Sequence, residues 1–242
     1  MADLGFSSGN VIEETLKSLG FRSKIRLLQL YRRTQRYIDL LVDVQGHQML
    51  SLGIFNGDPH PGNLLVLDDG KLGLIDFGQT KRITEEQRIG VARVISAIGN
   101  SCADDQIAKS MRELGFSTKF NKDSALAEYA LLFFDSDIQG KEFGCATPQM
   151  YFARLNRIDP LVSVPDVASK WSLLFVRAVV SLLSRSFLMR FHSVVFVARS
   201  SFIIRGMGTV LGKQIRTSLR WKKQAGIALD AQAASGAIVA GS

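Results

Sequence analysis

Three oxygen-bearing side chains that could take part in catalysis lie close together in the sequence, at Asp58, Asn63 and Asp76. An acidic residue can orient or deprotonate an attacking hydroxyl, and Mg²⁺ takes oxygen ligands while keeping several waters. Phosphoryl transfer needs these residue types, because it depends on positioning and on stabilising negative charge. We therefore predict Asp58 as the catalytic residue and Asn63 and Asp76 as metal ligands.

The spacing of these residues agrees with a kinase catalytic loop. In the loop motif H-R-D-x-x-x-x-N, the aspartate and the asparagine have the same separation as Asp58 and Asn63. Asp76 begins the tripeptide Asp-Phe-Gly, whose aspartate in kinases holds the phosphate-bridging Mg²⁺. Gly78 would let the backbone turn sharply after this ligand. Either motif alone is weak, since Pro, Gly and Asn favour ordinary turns. Together they predict a cofactor site at Asn63, Asp76 and Gly78.

A β-hairpin is predicted between the two motifs. Apolar runs at 64–67 and 72–75 flank the sequence Asp-Asp-Gly-Lys at 68–71. An Asp-Gly pair between two apolar runs is a strong hairpin signal, because glycine supplies the positive φ that the turn requires. The hairpin would lead the chain to Asp76. The sequence Thr-Glu-Glu-Gln at 84–87 then fits a capping box, which predicts that a helix follows.

Most of the remaining chain shows helical patterns. We predict an N-terminal helical segment at residues 1–52, followed by a lobe at residues 53–215. This lobe contains the catalytic loop at 56–63, the Asp-Phe-Gly motif at 76–78 and a helical remainder. The tail at 216–242 is basic and then low in complexity, and we predict that it is disordered. The predicted fold is therefore mostly α-helical, with one small β-hairpin that carries the metal site.

The net charge of +8 is concentrated toward the C-terminal end. Residues 150–242 hold 13 Lys and Arg against 3 Asp, whereas the preceding residues are slightly acidic. This balance is typical either of attraction to an anionic surface or of a well-solvated helical surface, and both interpretations stay open. No nucleic-acid partner is predicted, because no module signature or interleaved aromatic pattern accompanies the basic residues. Arginines interrupt the apolar region at 173–212, so no membrane-spanning helix is predicted.

The cysteines and the first residues bear on the compartment. Cys102 and Cys145 are far apart, which favours reduced thiols over a disulfide framework or a zinc site. A transit peptide is poor in acidic residues, whereas the first residues of this chain include Asp3, Glu13 and Glu14, so no targeting peptide is predicted in it.

The sequence of the catalytic stretch resembles that of the UbiB/aarF-domain (ADCK-type) atypical kinase family. The resemblance rests on Asp-Pro-His-Pro-Gly-Asn, then Leu-Leu-Val, a short Asp-Gly turn, and Gly-Leu-Ile-Asp-Phe-Gly followed by Gln79. It is specific over roughly residues 50–82 and looser to about Gly212, where residues 199–212 look like the closing helix of that family. It implies the C-lobe of a protein-kinase-like fold. By resemblance, Asp58 matches the catalytic-loop aspartate, and the asparagine and aspartate that bind metal match positions 63 and 76.

The resemblance also implies cofactors, partners and a location. Members of the family are described as ATP-binding proteins with ATPase or unorthodox kinase behaviour, linked to ubiquinone and other prenylquinone lipids. Mg²⁺ and ATP are therefore the expected cofactors. The expected partners are ATP, a prenylquinone-type lipid or an anionic membrane surface, and proteins of a quinone-biosynthesis assembly. A mitochondrial or plastid location, with peripheral membrane association, follows from the same resemblance.

Two departures from an ordinary kinase leave two functions open. Asn56 and Gly57 stand where the kinase loop has His and Arg. Only 57 residues precede Asp58, and their pattern is helical, so we expect the N-lobe, with its phosphate loop, strand Lys and helix Glu, to be absent from this chain. The chain is then either a Mg-ATP-dependent enzyme with weak or no catalysis by itself, or a truncated pseudokinase that binds a lipid or a partner.

Overall fold

A computed structural model describes residues 21–135, 148–163 and 193–240. These residues are mostly helical, with short antiparallel strand pairs. The helices are α1 (Phe21–His47), α2 (Glu85–Gly99), α3 (Asp104–Glu113), α4 (Asp123–Phe134), α5 (Pro148–Ile158), α6 (Ser193–Val210) and α7 (Thr217–Ala240). The strands are β1 (Ile54–Asn56), β2 (Leu64–Val66), β3 (Leu72–Leu74), β4 (Thr80–Arg82), β5 (Ser117–Thr118) and β6 (Leu161–Ser163).

The predicted hairpin is confirmed as the antiparallel pair of β2 and β3. Leu64 lies opposite Leu74 and Val66 opposite Leu72. Gly70 has a φ of 81° in the turn, the conformation for which glycine was expected there. The sequence did not predict the second pairing, of β1 with β4, in which Asn56 lies opposite Thr80. This pairing brings together the two ends of the segment at 54–82, which contains both motifs.

Helix α1 leads directly into the site through an irregular turn. A π-helical turn follows it at Gln48–Leu52, and Gly53 then adopts a left-handed φ of 66°. Met49 and Leu50 of this turn are fully buried. Because π-helical turns shift the helix register, the chain leaves α1 in a new direction and enters β1. The helical prediction for residues 1–52 is confirmed from residue 21 onward, and residues 1–20 lie outside the described part.

The capping box that was predicted to begin α2 is present. The Gln87 backbone N–H donates to Thr84 Oγ1 (3.2 Å), and the Thr84 backbone N–H donates to Gln87 Oε1 (2.9 Å). Ile89, Val94 and Ile95 of α2 are buried to 2% exposure or less, which places the helix in the main core. Helices α3 and α4 lie in the stretch for which a helical remainder was predicted.

The prediction of a disordered tail at 216–242 is wrong for residues 217–240, which form α7. Trp221, Ala225 and Ala228 recur at helical spacing and are buried to 2% exposure or less. The indole N–H of Trp221 donates to the Val42 carbonyl of α1 (2.7 Å). The small side chains of Ala225 and Ala228 allow α7 to pack closely along α2 and α1, whereas the low-complexity residues at 231–235 are helical but exposed.

The C-terminal part of the helical remainder predicted within residues 53–215 is described from residue 193. Helix α6 ends at Val210, and Gly212 then has a φ of 64°. Residues 136–147 and 164–192 of this remainder lie outside the described residues. Within the described ranges, no helix has the length and apolar character needed to cross a membrane.

Packing of α7 on α1 generates a stability prediction at Gly46. A Cβ at Gly46 would lie 2.3 Å from Trp221 Cδ1, and the indole is held by its hydrogen bond. We expect Gly46→Ala to lower the free energy of unfolding by about 1–3 kcal/mol, since overpacking a rigid core has that cost. Urea unfolding followed by far-ultraviolet circular dichroism measures it.

The matched control is the same substitution at Gly226 of α7. No atom lies within 4 Å of a Cβ placed at Gly226. Gly226→Ala should leave the free energy of unfolding unchanged or raise it by up to about 1 kcal/mol, because alanine is the better helix former. Equal stability of the two variants would contradict the close packing of α7 on α1.

Candidate active site

A buried asparagine at the end of β1 joins the two motifs. Asn56 is 3% exposed. Its Oδ1 accepts from the Asp58 backbone N–H (2.9 Å), and its Nδ2 donates to the Asp76 carbonyl (3.0 Å). Its own carbonyl accepts from Gln45 Nε2 (2.6 Å) and from Ser200 Oγ (3.4 Å). A single side chain therefore holds the catalytic loop and the Asp-Phe-Gly motif in one arrangement.

The predicted catalytic residue forms an ion pair with a helix far along the chain. Asp58 Oδ1 lies 3.2 Å from Arg199 Nη2, and the two side chains are 14% and 16% exposed. Arg199 Nη1 also donates to the Gly57 carbonyl (3.3 Å). The Asp58 carbonyl accepts from the His60 backbone N–H (2.7 Å). The Asp58 carboxylate is thus a shielded, oriented group at the edge of the site.

The predicted metal ligand Asn63 ends a 3₁₀ turn, Pro61–Asn63. His60 caps this turn, since its Nδ1 accepts from the Gly62 backbone N–H (3.1 Å). Asn63 Nδ2 donates to the Asp58 carbonyl (3.2 Å), which leaves the amide oxygen Oδ1 as the atom suited to a metal. The Asn63 carbonyl accepts from the Ile75 backbone N–H (3.1 Å). The residue is therefore tied both to the loop and to the strand that leads to Asp76.

Asp76, the second predicted ligand, is exposed and oriented by its own turn. Its Oδ1 accepts from the Gly78 backbone N–H (2.8 Å). Gly78 does not have a positive φ, and its backbone N–H is what orients the carboxylate in this turn. Thr80 Oγ1 donates to the Phe77 carbonyl (2.8 Å) and closes the turn. The Asp76 carboxylate keeps Oδ2 for a ligand.

The donor set fits a hard cation such as Mg²⁺. Asn63 Oδ1 and the Asp76 carboxylate supply oxygen, the element that Mg²⁺ prefers. Across the described ranges, no three His, Cys, Asp or Glu side chains cluster as a metal site. A metal at Asn63 and Asp76 would therefore take its remaining ligands from phosphate oxygens and water, as Mg²⁺ commonly does. The roles of Asp58, Asn63 and Asp76 stay predictions.

Sequence reasoning missed the part of the site that α6 supplies. Phe196 of α6 is fully buried over Gly57, where a Cβ would lie 2.6 Å from Phe196 Cδ1 and 2.8 Å from the Gln79 carbonyl oxygen. The Gly57 backbone N–H donates to that same carbonyl (2.9 Å). Arg199 follows Phe196 by one turn of α6 and reaches Asp58. The only signal in the sequence was the resemblance at residues 199–212, which gave no partner for Arg199.

The comparison with known proteins finds similarity to a known family over part of the chain. Residues 23–110 match the family model of the ABC1 atypical kinase-like domain. The chain is similar to an uncharacterised protein of Synechocystis sp., with 37% identity over 79 residues. It is also similar to two proteins of Arabidopsis thaliana. These are ACTIVITY OF BC1 COMPLEX KINASE 1, chloroplastic, with 33% identity over 73 residues, and ACTIVITY OF BC1 COMPLEX KINASE 3, chloroplastic, with 50% identity over 44 residues. The predicted resemblance is confirmed.

The chain covers only a small part of these relatives. The aligned segments make up 33%, 30% and 18% of this chain, and 12%, 10% and 6% of the three relatives in the order given above. No solved structure matches the chain significantly.

The close contact of α6 with the loop generates a prediction at Gly57. Gly57→Ala would force Phe196 or the Gln79 carbonyl to move, so we expect a loss of about 1–3 kcal/mol in the free energy of unfolding. The amide resonances of Asp58 and Asp76 should shift with it, because Asp58 follows Gly57 directly and Asn56 joins the loop to Asp76. Urea unfolding and amide NMR spectra measure these effects.

Gly62→Ala is the control within the same loop. A Cβ there would approach only the His60 side chain, at 3.3 Å. Its free energy of unfolding should stay within about 0.5 kcal/mol of the unmodified chain, as for ordinary surface substitutions. A Gly57→Ala variant as stable as Gly62→Ala would show that α6 does not close on the loop.

Proposed function

We propose, from the match of residues 23–110 to the ABC1 atypical kinase-like domain, that this chain binds Mg²⁺ and ATP between Asp58 and Gly78 and supports phosphoryl transfer. The observation that carries this proposal is the pair of bonds from Asn56 to Asp58 and Asp76. In kinases the catalytic loop and the Asp-Phe-Gly motif must act on the same nucleotide, so a fixed connection between them is what that chemistry needs.

Each residue has a role in this proposal. Asn63 Oδ1 and the Asp76 carboxylate hold the metal ion, which supplies positive charge beside the phosphates when bound. Asp58 orients or deprotonates the acceptor, which is a hydroxyl in a kinase and a water in an ATPase. Asn56 acts through these residues by fixing their backbones. In such a site the protein contributes mainly by positioning the reacting groups, and not by covalent chemistry.

Binding is a better first test than turnover. The described segment before the site, residues 21–52, is helical, whereas a kinase nucleotide cleft also uses a phosphate loop and a strand lysine. We therefore propose weak or no catalysis by this chain alone.

Three relatives carry the word chloroplastic in their names, which supports a plastid location over a mitochondrial one. Prenylquinone metabolism, with the proteins of a quinone-biosynthesis assembly as partners, is the process that we propose from the family resemblance.

The test is Mg²⁺-dependent ATP binding by calorimetry, with Asp76→Asn as the variant. Removing the carboxylate charge should weaken Mg-ATP binding by at least about tenfold, since metal sites depend strongly on their charged ligand. ATP without Mg²⁺ should bind the two proteins equally.

Asp68→Asn is the matched control, because it removes the same charge from the hairpin that precedes Asp76. Asp68 is exposed in the turn between β2 and β3. The Mg-ATP affinity of the Asp68→Asn variant should equal that of the unmodified chain. Affinities that fall equally in the two variants would indicate a general charge effect, and a folded chain without Mg-ATP binding would reject the proposed site.

An apolar groove favours a second function, that of a binding module. The groove has a volume of about 810 Å³ and lies between α1, the β2–β3 hairpin and α6. Most of its lining is aliphatic, and Arg33 and His60 are polar groups at its surface. The lining includes Leu30, Ile38, Leu64, Val66, Leu72, Ile203, Met207 and Val210. A ligand with an apolar chain and a polar head, such as a prenylquinone-type lipid, fits this character.

Val210→Asp tests the groove with a short-chain prenylquinone as the probe. Val210 lines the groove and is 68% exposed, so a charge there should block the apolar chain without unfolding the protein. We expect at least about a tenfold loss of affinity, measured by calorimetry, because burying a charge against an apolar ligand is costly.

The control is Leu219→Asp on α7. Leu219 is 50% exposed and does not line the groove. This variant should bind the probe like the unmodified chain. Equal binding by both variants, or no binding by the unmodified chain, would reject the groove as a lipid site.

A further inference from the structure

We propose that Arg199 is a positioning residue for the phosphoryl-transfer site, which supplies from α6 the cation that the catalytic loop itself lacks. The inference rests on the proposed function, because Asp58 has a catalytic role only if the site transfers phosphate. It goes beyond that function, since nothing in the catalytic motifs of residues 56–78 points to a residue so far along the chain.

The loop cannot provide this cation from its own sequence. An ordinary kinase loop has an arginine directly before its aspartate, and this chain has Gly57 there. The space beside Gly57 is filled, because a Cβ would lie 2.6 Å from Phe196. Any larger residue at position 57 would displace α6. The positive charge near Asp58 therefore comes from Arg199 of α6. The same helix carries Phe196, which leaves no room for a side chain at position 57.

The contacts of Arg199 are those of an orienting group. One guanidinium nitrogen lies 3.2 Å from Asp58 Oδ1, and the other donates to the Gly57 carbonyl at 3.3 Å. The forked shape of the guanidinium lets it hold a side chain and the backbone beside it at once, which a lysine ammonium does less well. Both partners are mostly shielded from water, so the attraction is weakened less by solvent than that of a surface pair.

The guanidinium is itself held in place by an aromatic ring. Its carbon lies 5.6 Å from the centre of the Phe196 ring, and Lys81 Nζ lies 4.4 Å from the same centre. Ser200, the next residue along α6, donates to the Asn56 carbonyl (3.4 Å). Phe196, Arg199 and Ser200 thus form one face of α6 that holds residues 56–58. With Oδ1 of Asp58 engaged by Arg199, Oδ2 is the oxygen that serves the acceptor.

The expected kinetic effect is on turnover rather than on nucleotide binding. Arg199 contacts Gly57 and Asp58, whereas the metal ligands are Asn63 and Asp76. Arg199→Gln should keep the Mg-ATP dissociation constant within about twofold and lower single-turnover phosphate release by about tenfold or more, because only positioning is lost. Arg199→Lys should recover part of the loss, since it keeps the charge. Arg93→Gln, which alters a surface arginine paired with Glu113, should change neither quantity.

A second measurement applies even where turnover is slow. The His60 backbone N–H donates to the Asp58 carbonyl, so its hydrogen exchange reports on the loop. Exchange at His60 should be about tenfold faster or more in Arg199→Gln, as when a local structural bond is lost. In an Asp58→Asn chain the same substitution should have a smaller further effect, because the ion pair is already broken and only the bond to the Gly57 carbonyl remains to be lost.

The outcomes separate the two proposals. Unchanged His60 exchange in Arg199→Gln, or an equal further increase in the Asp58→Asn chain, would reject the role of Arg199 while Mg-ATP binding persists. Loss of Mg-ATP affinity together with turnover would make Arg199 a general structural residue and would also reject it. A folded, unmodified chain that does not bind Mg-ATP would reject the proposed function, and the catalytic purpose of Arg199 with it, whatever the exchange rates.

Discussion

The site depends on one buried amide. Asn56 is almost completely removed from water, and every polar atom of such a residue must find a partner inside the protein. Its Oδ1 and Nδ2 are satisfied by the backbones of Asp58 and Asp76, and its carbonyl by Gln45 and Ser200. Because an unpaired buried amide is costly, the two motifs cannot separate without a large energetic penalty. The relative position of Asp58 and Asp76 is therefore a consequence of burying Asn56.

Local chemistry explains which parts of the structure were predictable. The Asp-Gly turn, the capping box at Thr84 and the ordered pair of motifs each depend on residues only a few positions apart, and their physical signals are contained in short windows. The family resemblance was found in the same windows. The β1–β4 pair was missed because strands this short leave no clear periodic pattern.

Long-range contacts explain the rest. Helix α7 was taken for a disordered tail because its small residues from 231 onward suggest low complexity, but Trp221, Ala225 and Ala228 nearer its start are buried once the chain has folded. Trp221 is the aromatic residue of α7, and its partner Val42 lies on α1, toward the other end of the described chain. Arg199 was likewise part of a recognisable helix, yet its partner could not be identified before the fold brought α6 onto the loop. Spacing along a sequence carries no information on such contacts.

The distance along the chain between Arg199 and the loop also has a consequence for biosynthesis. The hydrogen bond from Arg199 to Gly57 joins residues 142 positions apart. A ribosome adds about 5–20 residues per second, so the loop leaves the ribosome several seconds before the helix that completes it. During that interval Gly57 and Asp58 lack their partners, and a nascent chain that stops before α6 never acquires them. Completion of the site is thus a late event in folding, which links a competent catalytic loop to synthesis of the C-terminal helices.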